Sequence, residues 1–169
     1  KLIDIDGNIQ NTSDQTPASG WTFDVDGSPS NPAATQTGSD GYTPSVEVEN
    51  GTYSVTEITN QGYNLISASC SGASNNGSLS GNSITGIQLG SDQIVSCKFI
   101  NSPKPATLIV NKVIKNDNGG TKVASNFSYQ INGATAVPFE SDGSNTQTVA
   151  TGTYTIAEVQ ANQNGYITS

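Results

Sequence analysis

The sequence predicts an all-β protein made of two tandem domains, and two observations lead to this prediction. The 169-residue chain contains 18 glycines, is rich in Ser, Thr and Asn, and is poor in the residues that favour helices. In addition, the motif Gly-Thr-Tyr-x-x-x-Glu at residues 51–57 occurs again at residues 152–158. A chain of this length suits one large or two small domains, and the repeat favours two.

Each copy of the repeated motif is predicted to be a strand that begins at a glycine turn. In the first copy, Tyr53 and Val55 alternate on one apolar face, and the same alternation places Glu57 on that face. The second copy repeats the pattern with Ile156 and Glu158. A carboxylate that points into a core is costly unless it is paired or neutral, so both glutamates are candidate functional residues.

Composition excludes several classes of partner and location. The net charge of −8 leaves no basic patch for phosphate, so neither nucleic acid nor an anionic membrane surface is predicted as a partner. No apolar run is long enough to span a bilayer, so membrane insertion is not expected. The chain begins with Lys1 and shows no signal peptide, and we interpret it as a mature or excised piece.

The two cysteines, Cys70 and Cys97, both lie in the first domain. Because the chain has no His and no third Cys, a metal site built on them is not predicted. A disulfide is the favoured interpretation, and it implies an oxidising location outside the cytoplasm. The alternative is a pair of reduced, buried thiols.

The strands and boundaries follow from alternating apolar residues and turn residues. In the first domain, residues 1–101, strands are predicted at residues 1–4, 21–27, 51–57, 84–89 and 95–101, with long Gly, Ser and Asn loops at 38–43 and 71–81. The Pro-containing segment 102–105 is predicted to be a stiff linker. The second domain, residues 106–169, opens with a strand at 106–115, and its segment 127–133 matches the aromatic strand at 21–27.

The run Asp4-Ile5-Asp6-Gly7-Asn8 shares some features with a calcium-binding loop. Its glycine stands at a different position from that of such loops, and no glutamate closes it twelve residues on. An ordinary tight turn is therefore the favoured interpretation, and no metal or other cofactor is predicted.

The two copies differ at their ends. Lys112 matches Lys1, so the first copy lacks counterparts of residues 107–111, and the second ends before anything that matches residues 70–101. The first domain is therefore expected to be incomplete at its N-terminus and the second at its C-terminus. Either the chain is part of a longer array of repeats, or neighbouring identical subunits supply strands by exchange and build a filament.

The order of these motifs resembles the collagen-adhesin B-type domains of bacterial surface proteins and pilins. The matching features are a strand with a lysine, an aromatic strand, the Gly-Thr-Tyr-x-x-x-Glu strand, a Gly-Tyr step and a last strand that ends in Asn. The resemblance implies an immunoglobulin-like, prealbumin-like β-sandwich in each domain. The cysteine pair and the missing Pro before the Gly-Tyr step depart from the family pattern.

The resemblance also implies a crosslink that the protein makes itself, in which a lysine and an asparagine form an amide with loss of ammonia. In the first domain Lys1 would be the nucleophile, Asn101 the electrophile and Glu57 the assisting acid. Burial favours the neutral forms of such an amine and acid, and proximity assists the reaction. In the second domain Lys112 and Glu158 match, while the asparagine would lie beyond Ser169.

Simpler roles for these residues remain open. Lys1 could be a solvated terminal residue, Glu57 could lie where a strand frays, and Asn101 could only cap a strand. Lys112 and Glu158 could form a structural ion pair.

Three classes of function follow from these features. The first is a structural module of an extracellular stalk or filament, in which internal crosslinks resist pulling and proteolysis. The second is an adhesin whose loops bind a glycan or a protein of a host or partner. An enzyme with turnover is not expected, because the chain lacks His and no pair of carboxylates or metal cluster emerges from the spacing.

Overall fold

In the computed structural model, which describes residues 1–58, 60–159 and 166, the chain folds as two compact units. Unit 1 is Lys1–Lys104 and unit 2 is Pro105–Ser169, so the boundary falls between Lys104 and Pro105. The described residues are almost entirely strands, turns and loops, with two single-turn 3-10 helices. Among them, no helix is long and apolar enough to cross a membrane.

The strands of unit 1 are short, and glycine-rich turns connect several of them. They are β1 (Leu2–Asp4), β2 (Gln15–Pro17), β3 (Thr22–Ser28), β4 (Thr35–Gln36), β5 (Gly51–Glu57), β6 (Tyr63–Ser71), β7 (Asn75–Ser80), β8 (Ser83–Leu89) and β9 (Ser96–Pro103). They form a four-stranded sheet in the order β2-β1-β9-β6 and a five-stranded sheet in the order β4-β3-β5-β8-β7. All pairings are antiparallel except that of β1 with β9, which is parallel.

The core of unit 1 lies between the two sheets. Alternation along β3 and β5 directs Phe23 and Tyr53 inward, where they are buried. Phe99 of β9 comes from the other sheet, and its ring lies 5.0 Å from that of Phe23. These contacts join the sheets of a β-sandwich, and Trp21, Ile84 and Ile87 complete the buried cluster.

A disulfide between Cys70 and Cys97 crosses one edge of this sandwich. The two residues are direct partners in the β6–β9 ladder, and their Cα atoms are 4.0 Å apart. The predicted pairing of the cysteines is therefore found. The bond links neighbouring strands of a single sheet, so it holds β6 against the strand that carries Asn101.

The described part of unit 2 also consists of short strands. They are β10 (Ala106–Asn111), β11 (Ser128–Ile131), β12 (Val137–Pro138), β13 (Ser144–Val149) and β14 (Ile156–Val159). One sheet pairs β10 with β13, and the other has the order β12-β11-β14. Tyr129 is fully buried between them and packs against Phe139 at a ring distance of 4.8 Å.

The structure confirms the all-β class and the tandem β-sandwiches, and it corrects three local predictions. The loop predicted at residues 71–81 contains β7, which pairs with β8. The side chains of β7 are mostly polar, so the sequence pattern did not indicate a strand. In unit 2, the strand predicted at residues 106–115 is shorter, because β10 ends at Asn111. The second copy of the repeated motif becomes a strand only at Ile156, because β11 pairs with residues 156–159 alone.

Replacing both cysteines, as Cys70→Ala/Cys97→Ala, is expected to lower the free energy of unfolding of unit 1 by about 3.5 kcal/mol. The disulfide closes a loop with a sequence separation of 27 residues, and the lost loop constraint sets this magnitude. Urea unfolding followed by the fluorescence of Trp21 reports on unit 1 alone, because the chain has a single Trp. The unmodified chain with its disulfide reduced should have the same urea midpoint as the double variant. If the double variant has the same midpoint as the disulfide-bonded chain, the prediction is wrong.

A buried lysine, glutamate and asparagine in unit 1

The parallel pairing of β1 with β9 positions two of the predicted site residues. Leu2 is opposite Ile100 and Ile3 is opposite Asn101, so Lys1 lies just before the start of β1 and beside the middle of β9. Asn101 is 2% exposed. Lys1 and Asn101 are far apart in the sequence, and they come close because strands from opposite ends of unit 1 pair with each other.

Glu57 joins these two residues from the facing sheet. It is the last residue of β5 and the register partner of Phe23, and it is 2% exposed. Lys1 Nζ donates a hydrogen bond to Glu57 Oε2 at 2.6 Å, and Asn101 Nδ2 donates to Glu57 Oε1 at 2.6 Å. One carboxylate therefore holds the amine with one oxygen and the amide with the other.

The side chain of Lys1 is buried against an aromatic ring. It is 0% exposed, and Nζ lies 3.7 Å from the centre of the Trp21 ring. Burial lowers the pKa of the Lys1 side chain from its ordinary 10.5 to about 8, although the hydrogen bond to Glu57 and the charge of Glu57 act in the opposite direction. A larger fraction of this amine is therefore neutral near pH 8 than is usual for a lysine.

The side-chain oxygen of Asn101 differs from its amide nitrogen in hydrogen bonding. Asn101 Oδ1 is buried and has no hydrogen-bond donor among the described residues. A cavity of about 160 Å³, whose lining includes Glu57, Asn64 and Asn101, lies beside this group. A buried, unsatisfied carbonyl costs stability, and such groups are usually explained by a functional role.

Unit 2 repeats half of this arrangement. Lys112 Nζ donates to Glu158 Oε1 at 2.6 Å, and Nζ lies 4.4 Å from the centre of the Phe127 ring. The two side chains are 17% and 14% exposed, so the pair is more open to solvent than its counterpart in unit 1. Among residues 1–58, 60–159 and 166, no asparagine side chain completes this pair.

A buried asparagine in unit 2, Asn145, is engaged elsewhere. Its Oδ1 accepts from Glu140 N at 3.0 Å and its Nδ2 donates to Pro138 O at 3.2 Å. The side chain of Asn145 thus stabilises the backbone around residues 138–140.

Sequence reasoning missed the aromatic residues that cover both lysines. Trp21, which belongs to the predicted aromatic strand and to the buried core, also lies over Lys1 and meets the ring of Tyr63 edge-on at 5.2 Å. Phe127 and Tyr166 form the same edge-on contact at 5.5 Å in unit 2. The tyrosines of these pairs belong to the repeated Gly-Tyr step, residues 62–63 and 165–166, of which residue 165 lies outside the described residues.

A repeated Ser-Asp-Gly sequence was also missed. Gly41 and Gly143 each have φ near +80°, and their carbonyl oxygens accept from the backbone nitrogens of Lys1 and Lys112 at 2.7 Å. A Cβ atom at Gly41 would lie 2.5 Å from Lys1 O, and one at Gly143 would lie 2.6 Å from Lys112 O. Only glycine allows both this conformation and this approach, so both glycines help to position the lysines.

Two sandwiches that each contain a lysine–glutamate pair beneath an aromatic ring define a class of protein, a tandem repeat module of β-sandwich domains. The chain belongs to the family of prealbumin-like fold domains, whose model matches residues 2–98 and again residues 103–169. This finding confirms the prealbumin-like repeat of bacterial surface proteins and pilins to which the motifs pointed. Such domains are in general structural modules and not enzymes. No curated protein and no solved structure matches the chain significantly.

In an Asn101→Ala variant, where no amide is available to react with Lys1, we expect the free energy of unfolding of unit 1 to rise from pH 8 to pH 10.5. The folded state loses the Lys1 proton at about pH 8 and the unfolded state near 10.5, so the unfolded state binds more protons in this window. The difference between pKa values of 10.5 and about 8 sets an upper limit of about 3.4 kcal/mol, and the gain should lie below it. Urea unfolding monitored at Trp21 measures it.

The matched control is Lys1→Met/Asn101→Ala, which keeps every other titrating group of the chain. The rise should be smaller in this double variant by the contribution of Lys1. If both variants show the same dependence on pH, the lowered pKa of Lys1 is wrong.

Proposed function

We propose that this protein is a structural repeat module of an extracellular stalk or filament, and that Lys1 and Asn101 of unit 1 form an isopeptide bond. The observation that carries the proposal is the position of Glu57, whose two carboxylate oxygens hold Lys1 Nζ and Asn101 Nδ2 at 2.6 Å each. A purely structural ion pair does not require the asparagine, and a capping asparagine does not require the lysine.

The reaction follows from the two hydrogen bonds of Glu57. The neutral Lys1 amine attacks Cγ of Asn101, and a proton of the amine passes to Oε2 of the carboxylate. The bond between Cγ and Nδ2 then breaks as the carboxyl group gives a proton to Nδ2, and ammonia leaves. One C–N bond forms, one C–N bond breaks, and Glu57 ends as it began.

The surroundings of the three residues favour this reaction. Burial shifts Lys1 toward the neutral amine that can act as a nucleophile, and Trp21 shields it from water. The pairing of β1 with β9 holds both partners in place, so the entropy cost of bringing them together is met by the fold. The cavity beside Asn101 offers a volume of about 160 Å³ into which ammonia can leave.

The position of the bond in unit 1 suits a protein under tension. Lys1 and Asn101 lie close to the two ends of unit 1, which runs from Lys1 to Lys104. A covalent bond between them would carry a pulling force past the β-sandwich, and the Cys70–Cys97 disulfide would hold a second loop closed. Slow unfolding, and not high equilibrium stability, is what such a module needs.

In unit 2, we propose that the pair of Lys112 and Glu158 acts as an ion pair until a strand with an asparagine is supplied. The donor would be a neighbouring repeat or an identical subunit. Support comes from the likeness of this pair to that of Lys1 and Glu57, including the aromatic ring that each lysine faces.

The adhesin alternative has less support in unit 1. One of the two long loops expected to bind a ligand, at residues 71–81, contains β7, which is tied into the five-stranded sheet. Binding of a glycan or protein ligand to the intact chain would favour this alternative.

The mass of the intact chain tests the isopeptide bond directly. We expect a mass about 17 Da below that of the disulfide-bonded sequence, because one ammonia is lost for one amide formed. Lys1→Met, Asn101→Ala and Glu57→Gln should each abolish this loss, the last because a glutamine cannot take up the amine proton. A chain with the full disulfide-bonded mass would exclude the bond.

Lys98→Met is the matched control for Lys1→Met, because Lys98 lies on the same strand as Asn101 but is exposed. It should retain the mass loss. Digestion followed by fragmentation of the branched peptide should then place the bond between residues 1 and 101.

Pulling on the full chain by single-molecule force spectroscopy tests the mechanical role. The unmodified chain should show no extension from unfolding of unit 1, whereas Lys1→Met should add about 250 Å, the reach of the residues outside the disulfide loop. Lys98→Met should behave like the unmodified chain. If unmodified unit 1 extends by the same length as Lys1→Met, the proposed mechanical role fails.

A further inference from the structure

Three carboxylates that take no part in the lysine site meet at the turn after β1. Asp4 ends β1, Asp6 lies in the turn, and Asp14 ends the 3-10 helix Thr12–Asp14 that precedes β2. One oxygen from each residue lies within 4.8 Å of the others. Carboxylates repel one another at such distances unless a positive charge lies between them.

Asp4 is the most unusual of the three. It is 0% exposed, and its Oδ1 has no hydrogen-bond donor among the described residues. Its Oδ2 accepts a single bond, from Gln15 Nε2 at 2.9 Å. Asp14 Oδ1 is likewise buried and without a donor in the part of the chain that the structure describes. Two buried oxygens of the cluster are thus free to bind a ligand, and a buried carboxylate oxygen without a hydrogen bond is costly.

No positively charged side chain resolves this cost. Within the described residues, the ion pairs are those of Lys1 with Glu57 and of Lys112 with Glu158, so none of the three aspartates has a cationic partner. A bound cation would supply the missing positive charge.

The turn itself holds the carboxylates together. Asp6 accepts from Asn8 N at 2.7 Å and from Asn11 Nδ2 at 2.9 Å, and Asp6 N donates to Asp14 Oδ2 at 2.9 Å. These three bonds fix the positions of Asp6 and Asp14 in the turn.

We propose that Asp4, Asp6 and Asp14 form a binding site for one calcium ion. The available ligands are carboxylate oxygens, which hard divalent cations prefer. Two oxygens bound to one Ca²⁺ at about 2.4 Å are at most about 4.8 Å apart, a condition that the three residues meet. Magnesium holds its ligands at about 2.1 Å in a strict octahedron, which this irregular turn suits less well.

The order of residues in the turn agrees with this site. Asp4 and Asp6 stand two apart, as the first two ligands of calcium loops do, and Asp14 brings the closing carboxylate from a different position in the sequence. The misplaced glycine and the missing glutamate, which favoured an ordinary turn, therefore do not argue against the geometry found.

A calcium ion at this place would act on β1, the strand that directly follows Lys1. Asp4 is the last residue of β1, and its register partner is Gln15 of β2. The ion would tie the end of β1 to the turn and to β2. This role goes beyond the proposed crosslink, and the site can exist whether or not that bond forms.

Calorimetric titration of the EDTA-treated full chain with CaCl₂ tests the site. We expect one ion per chain with a Kd between about 0.1 and 1 mM, the range of extracellular calcium modules. The midpoint of thermal unfolding of unit 1, followed at Trp21, should rise by about 5 to 10 °C at about 10 mM CaCl₂. The same concentration of MgCl₂ should raise it by less.

The double variant Asp6→Asn/Asp14→Asn should lower the affinity for Ca²⁺ at least about 100-fold, since two of three charged ligands are lost. Asp117→Asn is the matched control, because Asp117 lies in the corresponding exposed turn of unit 2, and it should bind Ca²⁺ like the unmodified chain.

The titration of the unmodified chain decides the proposal even if the double variant fails to fold. No heat of binding and no shift of the unfolding midpoint at about 10 mM CaCl₂ would overturn it. Retention of full affinity in a folded double variant, or loss of affinity in Asp117→Asn, would also overturn it. An equal response to MgCl₂ would overturn the assignment to calcium.

Discussion

The burial of one ion pair is the constraint on which the rest of unit 1 depends. Lys1 and Glu57 are almost completely removed from water, and two charges so placed are tolerated only when they are close and well bonded. Meeting that condition requires Lys1 before β1, Glu57 at the end of β5 and the aromatic cover of Trp21 to be fixed together. The β-sandwich supplies this by joining β1 to β9 on one sheet and β3 to β5 on the other.

Comparison of the two units shows which parts of this arrangement belong to the repeat. Both have a lysine bonded to a glutamate, an aromatic ring over the lysine, and a glycine whose carbonyl accepts from the lysine backbone. The asparagine contact and the near-complete burial are found in unit 1. In unit 1, β9 brings Asn101 and Phe99 to the core.

Much of the fold and the site could be predicted because the signals are local. Alternation along residues 51–57 placed Glu57 on the inner face, and the repeat identified Lys112 and Glu158 as its counterparts. The prediction of a loop at residues 71–81 was wrong, because β7 is stabilised by its pairing with β8 and its polar side chains carry no alternating pattern. The acidic turn was underestimated because Asp14 comes close to Asp4 only after β2 has paired with β1.

The sequence by itself determined the all-β class, the two-domain repeat, the pair of cysteines and the place of Glu57 and Glu158 on an apolar strand face, because these features depend on residue type and spacing along the chain. Lys1 and Asn101 were pointed out by the resemblance to a known family. Only the tertiary structure decided that Lys1 and Asn101 share one carboxylate, that Trp21 covers the amine, and that three aspartates converge after β1. These distances join strands far apart in the sequence, and they depend on the register of the β1–β9 and β3–β5 ladders.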